Sequence, residues 1–435
     1  MNPITSKLFD KWFSFFLLLL FLFLFLWCFV LPRGAAPDEE AHFQVAEYIF
    51  THQKLPIGTE EEVRISGWGF SYAFQPYLTY ILAAANMRLV FLLGGGLLGK
   101  MVAARFINVF FGICMAIFVR LIGQELFDKE LLRWLFLLSV MLLPQNLFMH
   151  IYLNTDSMAL LSSAMIVYSW IRGERTEWDL WSCIWLMLGI CLCALSYYNA
   201  YGYILCSLLL VIREILKRDD KKKLLKKAGL ICIGILILAG WYFIRNAMLY
   251  QGDIFGLRMR NLYAEMYANY EHKPSSGHTW KGIGRTVFYM LFHTDYIKLL
   301  LKSSVGYFGR MDQPLPKYIY CFWFAFFLMG FILLIFQIQK KKHFDFRDFL
   351  FILCILIPVI LTTYRAYSVD YQPQGRYILP GLIPFAFFIC KGWERMKENK
   401  KLIQIVLTLL FLSSILTYKQ MIIDKYFARL PWLIS

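Results

Sequence analysis

The stretch Pro37-Asp38-Glu39-Glu40-Ala41-His42 places three carboxylates and an imidazole within five consecutive positions. On a helix, Asp38 and His42 would share one face. A carboxylate in this setting can act as a general base, and Glu39 or His42 can orient it. Pro37 and the acids also suit the first turn of a helix, where negative charge complements the dipole. The pattern alone leaves both interpretations open.

A second acid stands in Asn154-Thr155-Asp156, at the start of a later apolar run. Ionisable residues at membrane level are costly and usually have a role. Two carboxylates from separate elements suit a transfer reaction. One removes the proton from an attacking hydroxyl, and the other orients the acceptor or holds a cation. Helix capping is the alternative for Asp156.

Arginines form the third group of candidates. Arg376 lies in Gln374-Gly375-Arg376-Tyr377, and Arg245 lies in Trp241-Tyr242-Phe243-Ile244-Arg245-Asn246. A guanidinium can grip a phosphate through two hydrogen bonds, whereas the alternative is snorkelling to lipid headgroups. Arg258 and Arg260 are weaker candidates of the same kind. The side chains expected to contact substrate are Tyr377, Asn154, Asn246 and Gln374.

Composition places these residues in a membrane protein. The chain is 59% hydrophobic and 17% charged, against roughly 45–50% and 25% in soluble domains. Its net charge of +16 comes from short blocks between apolar runs, so it reports topology rather than nucleic-acid binding. The ten cysteines all fall in apolar runs and behave as small hydrophobes. Cys191 and Cys193 point to different helix faces, and we predict no metal there.

Windows of about twenty apolar residues predict roughly eleven transmembrane helices. They lie near 12–32, 102–122, 131–150, 154–171, 180–197, 201–216, 227–248, 317–338, 347–367, 376–391 and 402–418. The first window is too long for a signal peptide, so we expect a retained helix. One further run, Tyr77–Leu98, is ambiguous between a crossing helix and a re-entrant or juxtamembrane element.

The charged loops resolve this ambiguity. With Lys7 and Lys11 inside and Tyr77–Leu98 not crossing, every dense basic block is cytoplasmic, as the positive-inside rule requires. These blocks are 172–175, 213–227, 340–347 and 391–401. The fold class is therefore an all-α polytopic membrane protein with a cytoplasmic N-terminus. Residues 1–435 form a single transmembrane domain, with two long extracytoplasmic loops at 33–101 and 249–316.

The order of these motifs resembles the GT-C superfamily of membrane glycosyltransferases, and most closely the DUF2142-type proteins. The resemblance rests on Pro-Asp-Glu-x-x-His, Gln75-Pro76-Tyr77, Asn-x-Asp at 154–156, Trp-x-x-x-Arg-Asn at 241–246 and the late Gln-Gly-Arg-Tyr. It implies that Asp38 and Asp156 are the two catalytic acids and that Arg376 binds a lipid phosphate. Gln75 stands where relatives often carry a phosphate-binding lysine, which puts that contact in doubt.

The resemblance implies a polyprenyl-phosphate-linked sugar donor and an inverting transfer, at the outer face of the plasma membrane, to an extracytoplasmic glycan, lipid or protein. Membrane lipid is the other expected partner, and nucleic acid is not. No cofactor is required, although a divalent cation (Mg or Mn) remains an alternative. Two other functions stay open: a flippase or transporter of lipid-linked glycans, and an outer-leaflet glycan polymerase or ligase.

Overall fold

The apolar runs form helices throughout the computed structural model, which describes residues 10–217, 219–338 and 345–420. The bilayer core offers no water to the backbone N–H and C=O groups, and a helix provides their hydrogen bonds within one segment. The described helices are α1 Lys11–Val30, α2 Glu39–His52, α3 Leu78–Leu92, α4 Leu97–Leu126, α5 Glu130–Met141, α6 Pro144–Met149, α7 Asp156–Thr176, α8 Leu180–Ala194, α9 Gly202–Lys217, α10 Lys221–Leu238, α11 Gly240–Leu249, α12 Leu257–Tyr267, α13 Val287–His293, α14 Tyr296–Val305, α15 Lys317–Ile338, α16 Phe346–Ser368, α17 Leu382–Trp393 and α18 Lys400–Tyr418.

Short elements fill the connections. Single 3₁₀ turns lie at Glu61–Val63, Tyr72–Phe74, Tyr198–Ala200, Tyr270–His272, Pro274–Ser276 and Glu394–Met396, and a longer 3₁₀ segment at Gly375–Gly381. Two short strands, β1 (Tyr307–Phe308) and β2 (Gln313–Pro314), pair antiparallel with Tyr307 opposite Pro314. The predicted all-α class is confirmed.

Six helical segments in the described parts are long and apolar enough to cross a membrane: Lys11–Val30, Leu97–Leu126, Tyr198–Lys217, Lys317–Ile338, Phe346–Ser368 and Lys400–Tyr418. A seventh results if α10 and α11, bent by 50° at their junction, count as one span. Each of the eleven predicted windows contains helix, but the count of eleven spans stays a prediction. Lys7 and residues 340–344, which entered the topology argument, lie outside the described residues.

Besides the window at 227–248, which breaks between α10 and α11, two windows are interrupted, and proline accounts for the position of these two breaks. Helix α5 ends at Met141, and Pro144 starts the short α6, because proline disfavours helical backbone in the residue before it. The window at 376–391 begins as a 3₁₀ segment that contains Pro380 and becomes α-helical only at Leu382.

Helix α7 lies at the centre of the bundle. Every side chain from Asp156 to Ile171 is buried, and the helix packs against α4 and α8. The hydroxyls of Ser162, Ser163 and Ser169 donate to carbonyls within the helix, as in the bond from Ser169 Oγ to the Met165 carbonyl at 2.8 Å. A polar helix is tolerated here because protein surrounds it. Its first residue, Asp156, is thereby fixed at the end of the bundle.

The first long loop folds into helices that lie against the bundle. Helix α3 occupies the ambiguous run Tyr77–Leu98 and has 15 residues. At 1.5 Å per residue it is about 22 Å long, which is short of the roughly 30 Å hydrocarbon core. It packs against α2 and α4. Its length therefore favours the juxtamembrane interpretation.

Candidate functional site

Asp38 precedes helix α2 instead of belonging to its first turn. The helix begins at Glu39, and Asp38 adopts a left-handed backbone with φ 59° and ψ 1°. Its side chain makes no capping hydrogen bond. Asp38 is therefore the N-cap residue through its backbone alone, since its carbonyl accepts from the His42 amide at 3.1 Å, and its carboxylate takes no part in the cap. A non-glycine residue in this region stores strain, of the order of 1–3 kcal/mol, and such strain clusters at functional sites.

The carboxylate of Asp38 is instead bound by Arg376. Nη2 of Arg376 donates a hydrogen bond to Oδ2 of Asp38. The arginine side chain is 3% exposed, whereas 36% of the Asp38 side chain remains accessible. Burial opposes ionisation of Asp38, but the charge and hydrogen bond of Arg376, together with the Tyr72 hydroxyl, lower its pKa overall. Asp38 is thus an accessible carboxylate that the buried Arg376 keeps ionised.

The backbone around Gly375 explains how Arg376 reaches this position. The Gly375 amide donates to Ser303 Oγ at 2.7 Å. A Cβ at Gly375 would overlap the backbone of Ser303 and Ser304, so only glycine permits this close approach to α14. Nη2 of Arg376 also donates to the Tyr377 hydroxyl at 2.9 Å. Within the Gln-Gly-Arg-Tyr motif, the glycine therefore allows the close approach to α14, and the tyrosine hydroxyl accepts a hydrogen bond from the arginine.

Glu39 does not orient Asp38, because its carboxylate is fully used elsewhere. It takes two hydrogen bonds from Arg105, at 2.6 Å and 2.8 Å, and both side chains are buried. Nη1 of Arg105 also donates to the carbonyls of Cys28 and Leu31. Arg105 thus ties the end of α1 to the start of α2. Glu39 therefore anchors the start of α2 through Arg105, and its carboxylate is not free to act as a base.

His42 lies under the cleft without a hydrogen bond to Asp38. Its Nδ1 is 2.8 Å from the Tyr80 hydroxyl, and its ring stacks on Tyr72 with centroids 4.6 Å apart. Burial lowers the pKa of His42 to about 4; the charge of Asp38 opposes this shift, and that of Arg376 adds to it. His42 is therefore neutral at physiological pH. It supports Tyr72, which in turn contacts Asp38.

Asp156 lies near the Asp38–Arg376 pair. It begins α7, and the charges of Arg376 and Asp38 both act on its carboxylate. Asn154 is not available to a substrate, because its side chain caps α7 through Ser157 N at 2.9 Å and also binds the Met149 carbonyl at 2.8 Å. Arg376 therefore contacts Asp38 and interacts with Asp156 through its charge, while Asn154 has a local structural role.

The remaining predicted phosphate ligands lie elsewhere. Arg245 donates to the Pro56 carbonyl at 2.8 Å and to the Tyr77 hydroxyl at 3.1 Å. Arg258 donates to the carbonyls of Tyr250 and Gln251. Neither arginine lines the cleft beside Asp38. Two further candidates also lie outside the cleft lining: Asn246, whose amide binds the Ile254 carbonyl at 3.1 Å, and the buried Gln75.

The accessible side of Asp38 opens into a cleft of about 290 Å³. Acidic, basic and aromatic side chains from both long loops and from helix α16 line it. The lining residues are Gly34, Ala36, Pro37, Asp38, Glu39, Glu40, Ala41, Ile65, Trp68, Phe70, Tyr72, Arg260, Arg310, Met311, Arg365, Asp370, Gln372 and Gln374. Gln374, predicted to contact substrate, is thus in the cleft, and Tyr377 lies behind it, donating to Gln372 Oε1 at 2.7 Å.

Sequence reasoning missed Arg105 and Arg365, and it ranked Arg260 too low. Arg105 stands inside an apolar window, where an ionisable residue is informative. Arg365 lies in the last turn of α16, nine residues before Gln374, and a charged residue inside a predicted apolar window was the available signal. No local pattern indicates that Arg260, from α12, meets Arg365 in one cleft.

A divalent cation fits poorly beside Asp38, because the guanidinium of Arg376 already occupies that side of the carboxylate. Among the residues that the structure describes, no three His, Cys, Asp or Glu side chains are grouped so that they could hold a metal ion. The participation of a divalent cation in the reaction stays a prediction.

Solved membrane enzymes share this fold. The apo oligosaccharyltransferase of Archaeoglobus fulgidus matches 95% of the chain at TM-score 0.55 and 13% identity. The same organism's AglB, in complex with an inhibitory peptide and a dolichol-phosphate, matches 94% at TM-score 0.53 and 12% identity. ArnT from Cupriavidus metallidurans, bound to undecaprenyl phosphate, matches 91% at TM-score 0.56 and 12% identity. No curated protein matches the chain.

The chain spans 56% of each oligosaccharyltransferase and 62% of ArnT. At 12–13% identity, the likeness shows a shared fold and does not show a shared activity. A family model matches residues 50–385, which is more than half of the chain. The chain therefore belongs to the family described as "Predicted membrane protein (DUF2142)".

Proposed function

We propose that this protein is a glycosyltransferase that moves a sugar from a polyprenyl-phosphate-linked donor to an extracytoplasmic acceptor by inverting displacement. The single observation that carries the proposal is the Asp38–Arg376 pair. In this pair, a carboxylate that can act as a general base lies next to a guanidinium that can bind a phosphate, and the carboxylate lines a cleft. AglB and ArnT, which share the fold, were solved with dolichol-phosphate and undecaprenyl phosphate.

In the proposed reaction, Asp38 removes the proton from an acceptor hydroxyl. The oxygen attacks the anomeric carbon, the bond from that carbon to the phosphate oxygen breaks, and polyprenyl phosphate departs. Arg376 stabilises the negative charge that develops on the leaving phosphate. The charge of Asp156 also acts on Arg376, so this second acid favours keeping the guanidinium at the site.

The shared arginine also gives a reason for the timing of proton transfer. In the ligand-free pair, Arg376 lowers the pKa of Asp38, which keeps the carboxylate ionised but makes it a weak base. A donor phosphate that draws Arg376 towards itself weakens this effect, and burial then raises the basicity of Asp38. Donor binding would thus activate the base in the same step that fixes the leaving group.

The test is the Asp38→Asn variant in proteoliposomes, with polyprenyl-phosphate sugars as donors and release of free polyprenyl phosphate as the readout. Asparagine tolerates the left-handed backbone and removes proton abstraction, but it leaves the buried Arg376 without this carboxylate, so the melting temperature is measured alongside release. Glu40→Gln is the matched control, because Glu40 is in the same motif but pairs with exposed Arg33. Undiminished release by Asp38→Asn would remove Asp38 from the mechanism. Movement of the lipid-linked sugar without any release would instead indicate a flippase.

The donor can be sought in cells. Lipid extracts from cells with the wild-type protein and with Asp38→Asn would be compared by mass spectrometry. The inactive variant should accumulate one lipid-linked sugar, whose mass gives the sugar and the number of phosphates.

A further inference from the structure

The cleft contains arginines that the proposed reaction does not use. Of its charged lining residues, three carboxylates are already paired with cations that lie outside the lining. Asp38 pairs with Arg376, Glu39 with Arg105 and Glu40 with Arg33. Among the described lining residues this leaves Asp370 as the one unpaired carboxylate, against three arginines, Arg260, Arg310 and Arg365. The cleft therefore carries a surplus of positive charge.

Arg260 and Arg365 are close enough to act on each other. Burial and the charge of Arg365 lower the pKa of Arg260. In the described part of the chain, no carboxylate oxygen lies within 4 Å of either guanidinium, and Asp370 instead accepts a hydrogen bond from Gln372. The mutual repulsion of two half-buried cations is costly, and the charge of Asp370, which acts on both from beyond 4 Å, offsets it only in part. An anionic ligand would remove that cost.

The hydrogen-bonding capacity of the two arginines is also unfilled. The guanidinium of Arg260 lies over the Phe70 ring at 3.9 Å, which leaves its N–H groups at the ring edge for another partner. Arg365 donates from Nη1 to the Tyr197 hydroxyl at 2.9 Å, while its Nε is buried without a partner. Two planar guanidinium groups with free N–H donors can bind the oxygens of a phosphate group.

This pair is separate from Arg376 but adjoins it. The Tyr197 ring stacks on Tyr377 with centroids 5.8 Å apart. Arg365 binds the Tyr197 hydroxyl, and Arg376 binds the Tyr377 hydroxyl. Two stacked tyrosines thus stand between the two cationic centres, with Arg376 buried behind Asp38 and Arg365 in the open cleft.

We propose that Arg260 and Arg365 form a second anion site, distinct from Arg376, that binds a phosphate group. The group has two sources, a phosphate on the acceptor or the outer, sugar-linked phosphate of a diphosphate-linked donor. In the second case polyprenyl diphosphate is the leaving group, and this site and Arg376 share its negative charge. The site itself stands independently of the transfer reaction. The assignment of its source rests on the proposed function.

Binding is tested on the full-length protein in detergent, with inorganic phosphate and pyrophosphate as probes and the melting temperature as the readout at constant ionic strength. Both anions should raise the melting temperature of the wild type. Arg260→Gln and Arg365→Gln should need at least about tenfold more anion for the same effect, since each loses a charge-assisted bond. Arg285→Gln is the matched control, because this exposed arginine of the same outer loop packs on Tyr289 and should respond as the wild type does.

Wild-type behaviour of both glutamine variants would overturn the proposal. If a glutamine variant is too unstable to purify, Arg260→Lys and Arg365→Lys keep the charge and lose the planar fork, and they should bind pyrophosphate several-fold more weakly. Undiminished pyrophosphate binding by these lysine variants would equally overturn the proposal.

Lipid probes then distinguish the source. Weaker binding of undecaprenyl diphosphate, with unchanged binding of undecaprenyl phosphate, would assign the site to the donor's outer phosphate. Unchanged binding of both lipids, with loss of the inorganic phosphate effect, would assign it to the acceptor. Equal weakening for both lipids would show that Arg260 and Arg365 hold the inner phosphate, which overturns a site distinct from Arg376. These measurements need no turnover, so they hold even if sugar transfer is never detected.

Discussion

Arg376 donates a hydrogen bond to the carboxylate of Asp38 across 338 positions of sequence. This contact joins the start of the first long loop to the 3₁₀ segment before α17. It makes the ionisation of Asp38 depend on a residue that is also the candidate ligand for the donor phosphate.

Replacing Arg376 should change the pH dependence of transfer. Arg376 lowers the pKa of Asp38, so in the wild type the base form persists below the usual aspartate range near 4. In Arg376→Gln, burial acts without that opposition, and the acidic limb of the kcat/KM profile should move up by about 1–3 pH units. Profiles of residual activity between pH 4 and 8 measure this. Arg376→Lys keeps a cation and should shift the limb less. An unmoved limb in Arg376→Gln would contradict the pairing.

Glu39 should contribute to stability rather than to chemistry. Glu39→Gln leaves Arg105 as a buried, uncompensated charge, which costs about 3–5 kcal/mol. The neighbouring Glu40→Gln breaks an exposed pair with Arg33 and should cost no more than about 1 kcal/mol. Thermal unfolding in detergent compares the two variants. Equal melting temperatures would show that the buried pair is not the anchor of α2.

His42 should make the protein less stable in acid. Its pKa is about 4 in the folded state against an ordinary 6.5, so the unfolded chain takes up the proton first as the pH falls. Stability present at pH 7 is therefore lost between about 6.5 and 4, and His42 accounts for about 3 kcal/mol of that loss. His42→Gln removes this component, so its melting temperature should fall less steeply with pH. Parallel curves for the two proteins would rule out a buried neutral imidazole.

Arg245 should affect folding of the loop and leave donor binding unchanged. Arg245→Gln loses the bonds to the Pro56 carbonyl and the Tyr77 hydroxyl, which should lower stability by about 1–3 kcal/mol. The KM for the lipid donor should stay within about twofold. A tenfold rise in that KM, with little change in melting temperature, would restore Arg245 as a phosphate ligand.

The sequence by itself determined the helical class, the order of the segments and the outer motifs. Hydropathy, loop charge and proline positions are local properties, and the backbone responds to them locally. The Tyr77–Leu98 run is an example, because loop charge alone predicted that it does not cross, and the length of its helix favours the same interpretation. The acidic motif was likewise identified from a local property, the spacing of its charged residues.

Only the tertiary structure decided what each acid of that motif does. Asp38, Glu39 and Glu40 are consecutive and alike in sequence, yet they pair with Arg376, Arg105 and Arg33 in surroundings that range from buried to exposed. It also placed Arg260 and Arg365 in one cleft and kept Arg245 out of it. Ion pairing depends on which distant segments the packed bundle brings within a few ångströms, and on how much water remains there, and neither quantity is encoded in a short stretch of residues.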